Sequence, residues 1–155
     1  MTKKIIKFIL IIVVMTTIFM FSSDNGSESN KKSDGLIIKT AETFFGKDLS
    51  DVEKNKIINK YFVPVRKSAH FFIYFLLGFL VISYIKEFDE VTRKTMFMAI
   101  LICLVYACSD EIHQLSVAGR SGEFFDVILD SIGSSVGCIC YYYMNKFKMR
   151  RCLDE

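Results

Sequence analysis

Tryptophan is missing from this chain, proline occurs once, at Pro64, and histidine twice, at His70 and His113. One proline and eight glycines in 155 residues leave too few chain breakers for a loop-rich sheet protein. Two histidines, with no His-Glu-x-x-His pair on one helix, supply no metal centre, so neither metal nor cofactor is expected. The net charge is only +3 and the basic residues are dispersed, which excludes a nucleic-acid footprint. None of the five cysteines has zinc-ligand spacing. Cys103, Cys108, Cys138 and Cys140 lie inside apolar runs and read as small apolar residues, while Cys152 falls in a basic tail. A cleavage site is lacking as well. The first apolar run ends Phe19-Met20-Phe21-Ser22-Ser23, with no small-x-small pattern and no lipobox cysteine. It reads as an uncleaved anchor.

What the chain does have is apolar length: it is 52% hydrophobic with a mean hydropathy of +0.34. Four runs carry it, at residues 5–21, 68–85, 96–107 and 124–147. The third is too short for a span of roughly 20 residues. Continuing it through Ser109-Asp110-Glu111-Ile112-His113-Gln114 supplies the length and puts those polar groups in its last turns. In lipid only helices or closed barrels satisfy the backbone. The expected fold is therefore all-α, a polytopic membrane four-helix bundle with an extracytoplasmic loop containing short amphipathic helices. The expected partition is a transmembrane anchor over 1–21, an extracytoplasmic linker and amphipathic segment over 22–65, a three-helix membrane core over 66–147 and a basic cytoplasmic tail over 148–155. Within the loop, 22–35 reads as a flexible linker and 36–62 as two short helices. Ser50-Asp51-Val52-Glu53 is a capping box that would start the second helix, and Pro64 would end it. The 20 Lys and Arg divide evenly between the two sides. Their density in the short connections places both termini in the cytoplasm of a cell-membrane protein.

Residues 110–137 hold five carboxylates, a histidine, a glutamine and an arginine in or beside apolar runs, where ionisable groups are costly. Topology gathers the polar residues at one interface. Arg66, Lys67 and His70 start the second span; Asp110, Glu111, His113 and Gln114 end the third; Asp126 and Asp130 start the fourth. Lys67, His70, Tyr74 and Gly78 form one helical stripe, and Asp126, Asp130, Gly133 and Gly137 another. Glycines at the deep end suit close helix packing below a polar cavity. The Gly119-Arg120-Ser121-Gly122 turn brings a guanidinium to its mouth, suited to phosphate or carboxylate. Ion pairs that merely fix helix register are the plainer account of the same residues.

Arg66-Lys67-Ser-Ala-His70-Phe71-Phe-Ile-Tyr74-Phe-Leu-Leu-Gly78, then Asp110-Glu111-Ile-His113-Gln114, Gly119-Arg120 and Asp126-x-x-x-Asp130-x-x-Gly133, resembles the VanZ-like family of bacterial membrane proteins. The resemblance covers about residues 10–145, including the Phe-Ser-Ser end of the first span. Gly122-Glu123 departs from it by adding a charge before the first Asp. The resemblance implies a multi-pass membrane protein whose namesake is linked to low-level resistance to the glycopeptide teicoplanin, with no catalytic activity established for the family.

Two functions fit. One is an envelope factor whose rim residues Arg66, Lys67, His70, Tyr74, Asp110, Glu111, His113, Gln114, Arg120, Asp126 and Asp130 bind an anionic or lipid-linked cell-wall group, with the lipid bilayer as its setting. The other is an intramembrane hydrolase or transferase acting on a lipid-borne substrate, with His70, Glu111, His113, Asp126 and Asp130 as candidate acids, bases or ligands. A bundle whose polar rim only fixes packing is the third, structural, option.

Overall fold

The computed structural model describes residues 2–23, 26–46, 48–117 and 124–151. They form five helices: α1 (Thr2–Ser23), α2 (Gly26–Phe45), α3 (Asp51–Ile85), α4 (Arg93–Leu115) and α5 (Phe124–Arg151). There is no strand among the described residues. Helices α1, α3, α4 and α5 are each long and apolar enough to cross a membrane, the architecture of a multi-pass membrane protein.

Local chemistry sets the helix ends. Gly46, at φ 64°, ends α2 in the left-handed region that glycine enters without cost, and its N–H bonds the Glu42 carbonyl at 2.9 Å. The capping box at Ser50 is formed: Ser50 Oγ accepts from the Glu53 N–H, and the Ser50 N–H donates to Glu53 Oε2 at 3.0 Å. A second box, between Thr92 and Thr95, starts α4.

Two expectations about the loop are corrected. The stretch over 22–35 does not run on as a linker, because α2 begins at Gly26. Its later turns pack on α3 and bury Ile37, which stabilises a helix that its polar first turns would not form alone. Nor does Pro64 end a helix; it lies inside the 35-residue α3. Proline removes one helical hydrogen bond, to the carbonyl four residues earlier. Here that carbonyl belongs to Lys60, in a turn where Lys60 and Tyr61 are exposed and water can replace the lost partner.

Helix α3 is the hub, touching all four others. Its most extensive contact is with α5, and three glycines explain why. A Cβ on Gly133 would stand 2.5 Å from the Phe71 carbonyl oxygen. On Gly78 it would collide with the Ser134 backbone, and on Gly137 with the Phe75 backbone. The helices run parallel in a fixed register: Lys67 faces Asp126, His70 faces Asp130, Cys138 Sγ meets the Gly78 carbonyl at 3.3 Å, and Lys86 bonds Asn145. On α4 the buried stripe is small: Thr95, Ala99, Cys103 and Ala107 at four-residue steps. On α1 it is Ile11, Val14, Ile18 and Ser22. Large apolar side chains such as Ile9, Val13, Val105 and Ile132 point outward, as lipid-facing residues do. Cys103 and Cys138 are buried, Cys108 is exposed, and Cys152 lies outside the described residues.

At one end of the bundle Lys7 Nζ donates to Glu87 Oε1 at 2.6 Å and to the Ser83 carbonyl at 2.9 Å. The ammonium of Lys4 sits 4.2 Å from the centre of the Phe88 ring.

Two measurements test this frame. Gly137→Ala should destabilise the detergent-solubilised protein by about 2 kcal/mol, because overpacking displaces backbone. Gly35→Ala, which meets nothing within 4 Å, should instead stabilise it by up to about 1 kcal/mol through helix propensity. Thermal melts of both variants report the contrast. The hydrogen bond from Lys7 holds the Glu87 carboxyl below its ordinary value of 4.5. The stabilisation it brings is therefore complete above that ordinary value and is lost as pH falls through the lowered one. Carbon-13 NMR titration of Glu87 should show its midpoint rise toward the ordinary value in Lys7→Ala.

Candidate functional site

The opposite end is built differently. Each buried stripe finishes there on a polar residue: Ser22 on α1, Tyr74 and His70 on α3, Asp110 and Gln114 on α4, Asp130 on α5. The stripes converge because helical spacing of three and four keeps each set on one face, and the α3–α5 register aligns those faces.

Asp110 is 3% exposed and Asp130 2%. Their surroundings differ. Asp110 Oδ2 accepts from Ser22 Oγ at 2.8 Å and from Gln114 Nε2 at 3.1 Å, and Gln114 Nε2 also reaches Ser22 Oγ at 3.3 Å. Hydrogen bonds to a charged acceptor contribute roughly 1.5–3 kcal/mol each. Asp130 Oδ1 has His70 Nδ1 at 3.7 Å, too long for a hydrogen bond and an ion pair only with a protonated ring. Tyr74 is fully buried and lies within electrostatic reach of both acids. Among the described residues, four buried atoms from three helices lack a partner at ordinary hydrogen-bond distance here, His70 Nδ1, Tyr74 OH, Asp110 Oδ1 and Asp130 Oδ1, although the Tyr74 hydroxyl faces Asp110 and the His70 ring faces Asp130.

A more exposed layer caps this one. Lys67 Nζ donates to Asp126 Oδ1 at 2.7 Å, and Arg66 is half-buried beside it. Asp126 is one turn above Asp130, about 6 Å at the helical rise. Glu111 is buried on α4. Arg120 and the rest of the Gly119–Gly122 turn lie outside the described residues, as does Glu123.

His113 is the sequence candidate that the fold sends elsewhere. Its ring stacks on Phe19 at 4.4 Å between centroids, and its Nε2 lies 3.0 Å from Ser23 Oγ. It therefore faces α1, whereas His70 faces Asp130 on α5. A serine beside a histidine raises nucleophilic chemistry. Here Ser23 Oγ also lies 2.7 Å from the Phe19 carbonyl, a helical back-bond that competes for its single proton.

Ser22 and Ser23 are site residues that the sequence marked only as the Phe-Ser-Ser end of the first span, not as part of the polar rim. Two serines closing an apolar run look like the start of a loop. The available signal was their place: the end of α1 that topology puts beside the end of α4.

Chemically the deep layer offers acceptors and one phenol, and the upper layer offers cations. Such a site suits a ligand with hydroxyl or amine donors below an anionic group. Among the described residues no cluster of three or more His, Cys, Asp or Glu has a geometry that could hold a metal.

Removing a donor from buried Asp110 should cost more than breaking the Lys67 pair. Ser22→Ala should destabilise by about 1–3 kcal/mol, since it leaves a desolvated carboxylate underbonded. With 39% of its side chain exposed, Lys67 should lose only about 1 kcal/mol or less on Lys67→Ala. Thermal melts of the two variants give the order.

A family model described as VanZ/LLP1 matches residues 7–145, which takes in all the named site residues and most of each spanning helix. No curated protein and no solved structure matches the chain.

Proposed function

The chain belongs to the VanZ/LLP1 family, and we propose that it is an envelope-membrane binding protein. Its polar cluster faces the outer leaflet and takes the head of a lipid-linked cell-wall group. Through that binding it contributes to tolerance of glycopeptides such as teicoplanin. The observation that carries this reading is the set of four buried polar atoms, on His70, Tyr74, Asp110 and Asp130, that no described residue meets at ordinary hydrogen-bond distance, beneath the Lys67–Asp126 pair. Buried polar groups are normally satisfied, and those that are not call for an explanation. A sugar's hydroxyls would donate to Asp110 Oδ1 and Asp130 Oδ1. A linking phosphate would sit higher, at Arg66 and Lys67, above Asp110 and Asp130, with the Lys67 ammonium shared between it and Asp126. With both termini cytoplasmic, the cluster opens to the side where such groups are assembled into the wall.

The test has two readouts in one set of strains. A glycopeptide-sensitive host expressing the wild-type protein should need more teicoplanin for inhibition than one expressing Asp130→Asn at equal membrane abundance. Purified protein should bind a short-chain lipid-linked glycosyl diphosphate, and Lys67→Ala should weaken that binding about tenfold, or 1.4 kcal/mol. Equal binding by wild type and both variants would leave the cluster a packing device. Release of product from the bound analogue, abolished by His113→Ala, would favour a hydrolase or transferase instead.

A further inference from the structure

Away from the polar cluster, α2 and the first half of α3 enclose a groove of about 560 Å³. That volume lies within the roughly 300–1,000 Å³ of small-ligand sites. Its walls are apolar: Leu36, Ile37 and Phe44 from α2 face Ile57, Tyr61 and Val65 from α3. Phe44 is 84% exposed and Leu36 61%. The lower end, at Val65, is two residues from Lys67, where the apolar span begins. The groove thus rises from the level at which α3 leaves the bilayer.

The polar lining is one-sided in charge. Lys56 and Lys60 line the groove and no carboxylate does. They are four residues apart, one above the other on the same face of α3. Among the described residues neither forms an ion pair; Lys60 Nζ instead lies 5.3 Å over its neighbour's ring, that of Tyr61. The nearby Lys54, by contrast, is neutralised by Glu42 at 3.2 Å. An apolar trough with two unneutralised ammonium groups, opening at the membrane surface, has the complementary chemistry of an anionic amphiphile.

We propose that this groove is a lipid site, in which one acyl chain of an anionic phospholipid from the adjoining leaflet lies between α2 and α3 while its phosphate is held by Lys56 and Lys60. The site is separate from the polar cluster and stands whether or not that cluster binds a wall precursor.

Photocrosslinking in nanodiscs tests it. The probe is phosphatidylglycerol with a diazirine in mid-chain, and labelled peptides are mapped by mass spectrometry. Labelling is expected on residues 36–44 and 57–65 as well as on the apolar spans, residues 5–21, 68–85, 96–107 and 124–147. Lys56→Glu with Lys60→Glu should lower groove labelling about thirtyfold, since each lysine contributes about 1 kcal/mol toward anionic lipid. Ala41→Phe, which fills the groove without changing charge, should lower it comparably. Unchanged labelling of the apolar spans shows that each variant is folded. Labelling confined to those apolar spans, with none on residues 36–44 or 57–65, would overturn the proposal. So would equal groove labelling by a phosphatidylcholine probe, which would mean simple interfacial insertion, or crosslinks joining two protein chains through the groove.

Discussion

Everything in this bundle hangs on the approach of α3 to α5. Lipid tails are as apolar as leucine, so membrane helices gain little from the hydrophobic effect on associating and rely on van der Waals contact and polar bonds. Gly78, Gly133 and Gly137 remove the side chains that would keep the two backbones apart. Once they touch, the register is fixed along the whole interface, from Lys67 and Asp126 at one end to Lys86 and Asn145 at the other. Sliding α5 by a single turn would split both pairs, part Asp130 from His70 and drive either the Phe75 carbonyl against Tyr141 or the Phe71 carbonyl against Leu129. The seam therefore selects one arrangement, and the position of both acids of α5 follows from it.

Helices α4 and α1 then close the site for a related reason. The small stripe of Thr95, Ala99, Cys103 and Ala107 lets α4 come close enough for its next buried residues, Asp110 and Gln114, to meet the interior rather than lipid. Tyr106 locks α1 alongside through a 2.7 Å bond to the Met15 carbonyl, which carries Ser22 to Asp110. The result is an uneven pair of acids. Asp110 is held by two donors on one oxygen, while among the described residues Asp130 has only a distant imidazole. In a low-dielectric interior that difference matters, because an unbonded buried carboxylate oxygen attracts any donor that can reach it.

Much of this was legible in the chain. Four apolar runs gave four spanning helices, and the Ser50–Glu53 box gave the start of α3, because both signals are local. Charges inside apolar runs are rare enough to mark Asp110, Asp126 and Asp130 without a structure. The limits were also physical. Periodicity tells which face a residue occupies but not which helix lies opposite, so it placed His113 in the rim and could not give its partners, Phe19 and Ser23. Pro64 misled because its cost depends on whether water can serve the freed carbonyl, a property of the folded surface. The first turns of α2 were hidden for the same reason: their helicity comes from packing that begins with Ile37, not from their own sequence.

The two ends of the bundle use their polar residues differently. Both ends carry charged groups at the margin of the same apolar helices, and both face the same penalty for desolvating them. At the Lys7 end the cation is matched: Lys7 bonds Glu87 and the Ser83 carbonyl, and Lys86 bonds Asn145. That is what fixing helix register requires, and it takes few residues. At the other end Lys67–Asp126 and the Ser22–Asp110–Gln114 triad already do the same work. Tyr74 OH, His70 Nδ1, Asp110 Oδ1 and Asp130 Oδ1 go beyond it, since apolar groups of similar shape would pack there without leaving buried polar atoms unmatched. Holding the helices together takes fewer polar groups than these, and that surplus is the ground on which a polar ligand is proposed.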